Sequence, residues 1–488
     1  QIVGKEKDIS VNTKDLRIIF NNGDATTGEN VVAEDNWSMT KTFSVENKSN
    51  STYKYNIVIK DLINTFKTTG YLQYKITSTD GGYNMTSFED VPKRSTIADT
   101  VLAYSVSIDE GATQNYTITI QYPNDANIDQ SDDMGAELSG KLYISEGSYP
   151  TLAEVILRDN PTISERTDLS ITNTATTTGT IYQTNKTEDG STVYYYSGNT
   201  TNNWVKFGGF YWRIIRTNED GSVRLLYAGT THDTTSGYIG TSAYNSANND
   251  PMYVGYMYGT SGSLENNRTN INDSTIKTVI DAWYKNNLLT NYDKYISKTA
   301  IYCNDRSIAS DQTYSTSSDF NYGPYIRLEA NKMPTYKCGG DGNSGLFESV
   351  QALADKFSAS TEGEGNGKLT YPIALMTTDE LFFAGGVAGF DLASPYAWYY
   401  TNSQGESVTG NYWWWLLSPG DWSDSIAEVW RINGSTNPGY LISGYVRPVH
   451  GVRPVLSLKA CVNYLSGDGT PTTPYEVTID DACTNAEN

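Results

Sequence analysis

Apolar and polar positions alternate with period two through the first third of the chain. In YKYNIVIKDL (53–62), Tyr53, Tyr55, Ile57 and Ile59 fall on one side, while Lys54, Asn56 and Lys60 face the other and Val58 breaks the alternation. The same period recurs in MTKTFSVEN, LQYKITST, TVLAYSVSID, NYTITIQYP and GKLYISEG, separated by polar turn clusters such as ENKSNS and TDGG. Short strands at this spacing predict an all-β antiparallel sandwich over residues 1–147. The N-terminal DISVNTKDLRIIF reads either as an edge strand or as an arm donated to a neighbouring copy.

The period then changes. PTLAEVILRDNP (150–161) is a short amphipathic segment stopped by Pro161, and SITNTATTTGT (170–180) is polar, with no apolar side to bury. Residues 148–177 therefore read as a short helix and a Thr-rich linker. Beyond it, WVKFGGFYWRIIRTNEDGSVRLLYAG (204–229) predicts two strands joined by a turn at 218–221. Two segments carry helical spacing: Ile276, Val279, Ile280 and Trp283 in one, Val350, Leu353, Ala354 and Phe357 in the other. A third helix opens at TTDELFFAGG, where Thr377 and Glu380 form a capping box and Gly385 stops the run. YWWWLLSP, AEVWRIN and GVRPVLSLK follow as strands with irregular joints. The expectation is a multidomain chain: the sandwich, then an α+β domain over 178–464, then a C-terminal extension over 465–488.

A chain of 488 residues has room for two or three cores. Its formal net charge of −21, with no basic run, argues against nucleic acid or an anionic membrane surface as partner. Tyr (38) outnumbers Phe (12), a balance that suits contact surfaces as well as half-wet cores. The two histidines, His232 and His450, are far apart, which disfavours a His-rich metal centre or a Ser–His–Asp triad. None of the four cysteines forms a CxxC pair. Pairing Cys303 with Cys338 and Cys461 with Cys483 closes two local loops and implies an oxidising compartment; the alternative is four buried free thiols. No apolar run reaches the ~20 residues that span a bilayer. The start at Gln1 reads as a processed or trimmed end, and an anchor beyond Asn488 stays open.

WVKFGGFYWRIIR, GSVRLLYAG, YPIALMTTDELFFAGG, WWWLLSP and GVRPVLSLK, with SGDGTPTTPYEV after the last core strand, carry a resemblance. On these segments residues 178–475 resemble a bacterial C-type-lectin-fold family related to formylglycine-generating enzymes, and in particular the variable proteins of diversity-generating retroelements. FSVENKSNSTYKYNIVI and YSVSIDEGATQNYTITIQYP are similar to the sandwich of camelysin-type biofilm-fibre proteins. The first resemblance implies a diversified binding face between LLSP and GVRPV. There, error-prone copying of Asn codons at adenines reaches most residue types, though not Lys, Gln, Glu, Met or Trp. The positions it marks are Gly420, Asp421, Ser423, Asp424, Ser425, Ile426, Arg431, Tyr440, Ile442, Ser443, Gly444, Tyr445, Arg447, Pro448 and His450, all of reachable types. Glu428, Trp422 and Trp430 are not reachable and stand as framework, although Trp422, in a loop-like stretch, is also a candidate contact residue.

Tyr and Arg dominate binding hot spots, so Arg431, Tyr440, Tyr445 and Arg447 beside His450 read as contact residues rather than as an ordinary solvated loop. Trp413 and Trp415 face opposite to Trp414 in an alternating strand, with core packing the simplest role for each. Asp421, Asp424 and Glu428 also permit a glycosidase or Ca²⁺ reading. Formylglycine-generating enzymes use a cysteine pair late in their fold, and no such pair lies in 420–450. The expectation is a binding protein and not an enzyme, without cofactor, at the bacterial surface or secreted. Its partner would be a protein or glycan receptor on another cell or phage. The rival reading is a pilus or matrix-fibre subunit that self-assembles through the first domain.

Overall fold

In a computed structural model the chain divides into two compact units, Gln1–Tyr149 and Pro150–Asn488. The structure describes residues 36–147, 149–309, 312–339, 355–360, 367–389, 397–434, 437–477 and 483, together with three short N-terminal strands.

Among the described residues the first unit is an antiparallel sandwich of ten strands: β1 (Val3–Lys5), β2 (Asp8–Ser10), β3 (Ile18–Asn21), β4 (Trp37–Asn47), β5 (Tyr53–Asn64), β6 (Gln73–Ser78), β7 (Glu89–Asp90), β8 (Arg94–Ile108), β9 (Thr113–Tyr122) and β10 (Leu138–Glu146). One sheet runs β1-β2-β3-β4-β9-β6-β7 and the other β10-β5-β8. Tyr55 and Ile57 of β5 meet Phe43, Val45, Ile76 and Ile118 of the larger sheet in one core, which is why the period-two pattern is so regular here. The polar turn after β4 is held by buried Asn47, whose Nδ2 donates to the carbonyls of Ser51 (2.8 Å) and Ile108 (3.1 Å). The segment 8–20 is not the edge of this sheet: its strands β2 and β3 lie between β1 and β4, with β3 paired to β4 from Ile18↔Asn47 to Asn21↔Ser44.

The second unit begins with α1 (Leu152–Asp159), capped by the reciprocal Thr151–Glu154 box. The stretch expected as a linker is built into this unit. β11 (Thr162–Ser164) pairs with β12 (Thr180–Thr184), Asn173 N donates to Gly385 O (3.0 Å), and buried Thr177 donates to Ser197 O (2.6 Å). Its residues have little apolar surface to offer, but their backbone groups and hydroxyls complete a neighbour's hydrogen bonds.

After β13 (Val193–Tyr195), residues 204–229 form three strands instead of two: β14 (Trp204–Phe207), β15 (Phe210–Thr217) and β16 (Val223–Gly229). Gly208 and Gly209, at φ 64° and 85°, make an additional two-residue hairpin turn, and a Cβ at Gly208 would sit 2.7 Å from Leu288. α2 (Thr275–Asn287) buries Ile276, Ile280 and Tyr284, with Val279 and Trp283 half-buried. α3 (Thr378–Ala384) has the expected Thr377–Glu380 capping box and Gly385 stop, and every one of its residues is buried. The helix expected around 346–357 is corrected at its described end. Phe357 lies in the strand Asp355–Ser358, paired with Tyr302–Asn304, because buried Asp355 and Phe357 share one face at period two. Val350, Leu353 and Ala354 lie outside the described residues. Cys303–Cys338 and Cys461–Cys483 are both bonded. Tyr475–Val477, in the C-terminal extension, adds to the sheet beside β14. No helix among the described residues is long and apolar enough to cross a membrane.

Charged groups are buried in this unit as closed sets. Arg327 grips Asp379 with Nε (2.8 Å) and Nη2 (2.7 Å), and its Nη1 donates to Asp305 (3.0 Å). Arg306 and Arg268 converge on Asp355, which has no exposed surface. Removing one partner of such a set leaves an uncompensated buried charge. Asp355→Asn should therefore destabilise the second unit by about 3–5 kcal/mol, read as a lowered urea midpoint at unchanged slope.

Candidate functional site

The stretch between LLSP and GVRPV is structured chain. β17 (Thr241–Ser242), β18 (Trp414–Ser423), β19 (Ile426–Ile432), β20 (Leu441–Tyr445) and β21 (His450–Gly451) form a sheet in the order β17-β21-β18-β19-β20, with Phe320–Asn321 added against the end of β18. β18 shifts register on both sides of Pro419, so its alternation is not readable from the sequence. Asp424 and Ser425, at φ 51° and 63°, are the two-residue turn that joins β18 to β19. The next strand, β22 (Pro454–Leu458), is framework, and its anchor is Arg453. The buried guanidinium donates to the carbonyls of Tyr227 (3.1 Å) and Tyr399 (2.5 Å) and lies 4.6 Å from the Trp414 ring centre. Burial alone pulls its pKa down to about 9.

The β19–β20 register, from Glu428↔Tyr445 to Ile432↔Leu441, sorts the marked residues onto two faces. One carries Arg431, Ile442 and Gly444. The Arg431 guanidinium lies 4.6 Å from the Trp413 ring centre, and its Nη1 donates to His450 Nε2 (2.9 Å). Arginine cannot accept, so His450 must be neutral with its proton on Nδ1. Burial first, then the Arg431 charge, pushes its pKa down to about 4. The His450 ring also packs against Trp415 (4.6 Å) and Trp413 (6.0 Å). Gly444 is required beneath this stack, since a Cβ there would come within 2.4 Å of the Arg431 guanidinium carbon.

The other face carries Glu428, Trp430, Ser443 and Tyr445. Ser443 Oγ donates to Asp421 (2.9 Å), reaching across β19, and a Cβ at Gly420 would strike the same hydroxyl at 1.9 Å. Asp421 and Glu428 both have raised pKa values. For Glu428 the cause is burial first and the Asp421 charge second, and the value rises to about 7. Burial and mutual repulsion thus oppose two negative charges at this pair. Tyr325 stacks on Trp430 at 5.9 Å beside them.

The marked residues do not form one flat surface. Asp424, Ser425, Tyr445 and Arg447 are exposed; Asp421, Ser423, Ile426, Arg431, Tyr440, Ile442 and Pro448 are half-buried. Gly420, Ser443, Gly444 and His450 are buried and shape the surface from below. Trp422 is 1% exposed, in register with Phe320, and has no surface to offer a ligand. Tyr412 (45% exposed) and Val449 (57%) are as open to solvent as Tyr445 (47%), and Trp413 is half-buried; the sequence marks only Tyr445 of these four. A tryptophan-rich run gave no sign of which of its rings would stay outside. Glu428, set aside as framework, is half-buried beside Asp421, and that burial and charge raise its pKa. Compared with protein-family models, with curated proteins and with solved structures, the chain gives no match.

The Glu428 shift has a testable sign. A carboxyl with a folded pKa near 7, above its unfolded value, stabilises the fold at low pH, and that contribution is lost as pH rises through 7. Glu428→Gln mimics the protonated form, so the variant should gain stability relative to the parent between pH 5.5 and pH 8. Paired denaturation curves cancel the opposite contribution of His450; a constant difference across that range would refute the raised Glu428 pKa.

Proposed function

We propose that this chain is an extracellular bacterial ligand-binding protein whose second unit, of C-type-lectin type, presents a diversified face on β18, β19, β20 and the 446–450 loop. One observation carries the reading. Of the ten large apolar side chains left exposed among the described residues, Tyr412, Tyr445 and Val449 fall within 38 residues of sequence around the Trp413–Arg431–His450 stack. Exposed aromatic and Arg side chains on a rigid sheet give contact area at low ordering cost. The ligand is a protein or glycan receptor on another cell or phage, and affinity comes from these anchors without a chemical step. Two disulfides and the acidic surface accord with a place outside the cytoplasm.

A second reading, a fibre subunit, draws on β1 and β2, the short terminal strands that end the larger sheet. Short terminal strands at a sheet edge are the kind of element that a neighbouring copy can supply instead. Deleting residues 1–12 should then abolish fibres seen by electron microscopy; fibres that persist would remove this reading.

For the binding face, a Tyr440→Ala, Tyr445→Ala, Arg447→Ala variant should keep its melting temperature within a few degrees, since none of the three side chains is buried. It should lose retention on cells or glycan arrays that hold the parent. Unfolding would show that the stretch is core. Sequencing the encoding 3′ segment across a producing population tests diversification: changes confined to codons 420–450 support it, and invariance leaves a fixed receptor.

A further inference from the structure

The second unit contains a cavity of about 370 Å³, at the small end of the range for ligand pockets, roughly 300–1,000 Å³. None of the residues marked as the binding face lines it. Its inner wall is made by Arg216, Arg224, Tyr336 and the carboxylates of Asp305, Asp379 and Glu380.

The acceptors of this wall are already occupied. Both Asp379 oxygens accept from Arg327, and one also takes Thr335 N (2.9 Å). Asp305 accepts from Ser307 and from Arg327. Glu380 caps its own helix through Thr377 N (3.0 Å) and faces both Arg224 Nε (2.5 Å) and Arg216 Nε (3.5 Å).

The donors are not. Arg216 uses Nη1 toward Thr217 O (3.3 Å) and Glu219 (3.5 Å), and Arg224 uses Nη1 toward Ile301 O (3.1 Å). Among the described residues, neither arginine's Nη2 group has an acceptor. The hydroxyl of Tyr336, a residue 9% exposed, has no hydrogen-bond partner among them either, and its charged neighbours are Arg216, Glu380 and Arg224. The Tyr336 hydroxyl is thus a buried donor without an acceptor, which is costly, and with the two Nη2 groups lining the same cavity the arrangement suits an acceptor from outside the chain. Two guanidinium edges match a planar carboxylate better than any neutral group.

Toward the mouth carboxylates are in excess. Glu188, paired with Lys356, and Glu219, facing Arg216, are half-buried, and Asp189 and Asp220 are exposed, with Lys337 in the same lining. With so many carboxylates in the wall a dianion is disfavoured, whereas a cationic group at the outer end of the ligand is attracted.

We propose that this cavity binds a small zwitterion of the free amino-acid class, its carboxylate on the Nη2 groups of Arg216 and Arg224 and the Tyr336 hydroxyl, its ammonium toward Glu219. The role is recognition of a solute, held apart from the receptor face.

Thermal shift and calorimetric titration of the intact chain with individual amino acids, the matched carboxylic acids and the matched amines test this. The expected result is saturable stabilisation by one or more amino acids and weaker binding of the matched acid and amine. Tyr336→Phe, which removes only an unpartnered hydroxyl, should weaken that amino acid by about tenfold or more with its own melting temperature retained. Glu219→Gln, at the mouth, should bring the amino acid down to the affinity of the matched acid. Carboxylic acids binding as tightly as amino acids would overturn the zwitterion assignment. No saturable binding in any arm, or an unchanged affinity in Tyr336→Phe, would show that the cavity holds water only.

Discussion

Arginines inside the second unit, and the acceptors each of them requires, constrain the rest of it. Arg224, Arg306, Arg327 and Arg453 are at most 2% exposed, and Arg213 is as deeply placed. A guanidinium offers five donors and does not give up its proton readily, so each must find several acceptors at fixed angles before the surrounding chain can close. Asp379 sits in the first turn of α3 and Asp355 in a short strand, and both positions are fixed by the arginines they serve. Loops that would otherwise be free are pinned by the same demand. Arg213, for example, takes the carbonyls of Thr200 and Thr401.

The sheet proposed as the binding face inherits its rigidity from this arrangement. Arg453 ties the start of β22 to Tyr399 and Trp414, and Trp414 opens β18. The outer half of the same sheet can then carry residues that the fold does not dictate, because its inner half is already fixed. The freedom has limits. Gly420 and Ser443 share one space, and Gly444 and Arg431 share another, so a larger residue at one position must be answered at its partner. Two environments lie on opposite faces of β19: a neutral histidine under an arginine, and a carboxyl pair whose pKa values are raised. Each is set by burial and by its neighbour's charge, and the two respond to pH in opposite directions.

The first unit was almost fully legible along the chain. One face of the strands meets a single core, so burial and sequence largely share a period of two, as in Tyr53, Tyr55 and Ile57, although Asn56 and Val58 on the other face of β5 are buried too. The α3 capping box was legible for a similar reason: Thr377, Glu380 and Gly385 act on backbone within a few residues of themselves. The split at Gly208–Gly209 was misread because the apolar residues continue through the turn. The Phe357 segment was misread because a buried aspartate counts as polar in any periodicity, although Asp355 is as fully inside as its neighbour.

What the sequence by itself determined is local: strand period, helix caps, turn glycines, and the pairing of cysteines that close short loops. The tertiary structure alone decided which marked residues reach the surface, since β18 shifts register around Pro419 and β19 alternates between two environments that both exclude water in part. It also decided that Trp422 is interior, that Trp413 serves as a platform, and that residues as distant in the chain as Arg216, Tyr336 and Glu380 enclose one cavity. The physical reason is range. Caps and turns are set by backbone geometry over a few residues, whereas a buried charge or a stacked ring is set by whichever distant group supplies its acceptor or its other face.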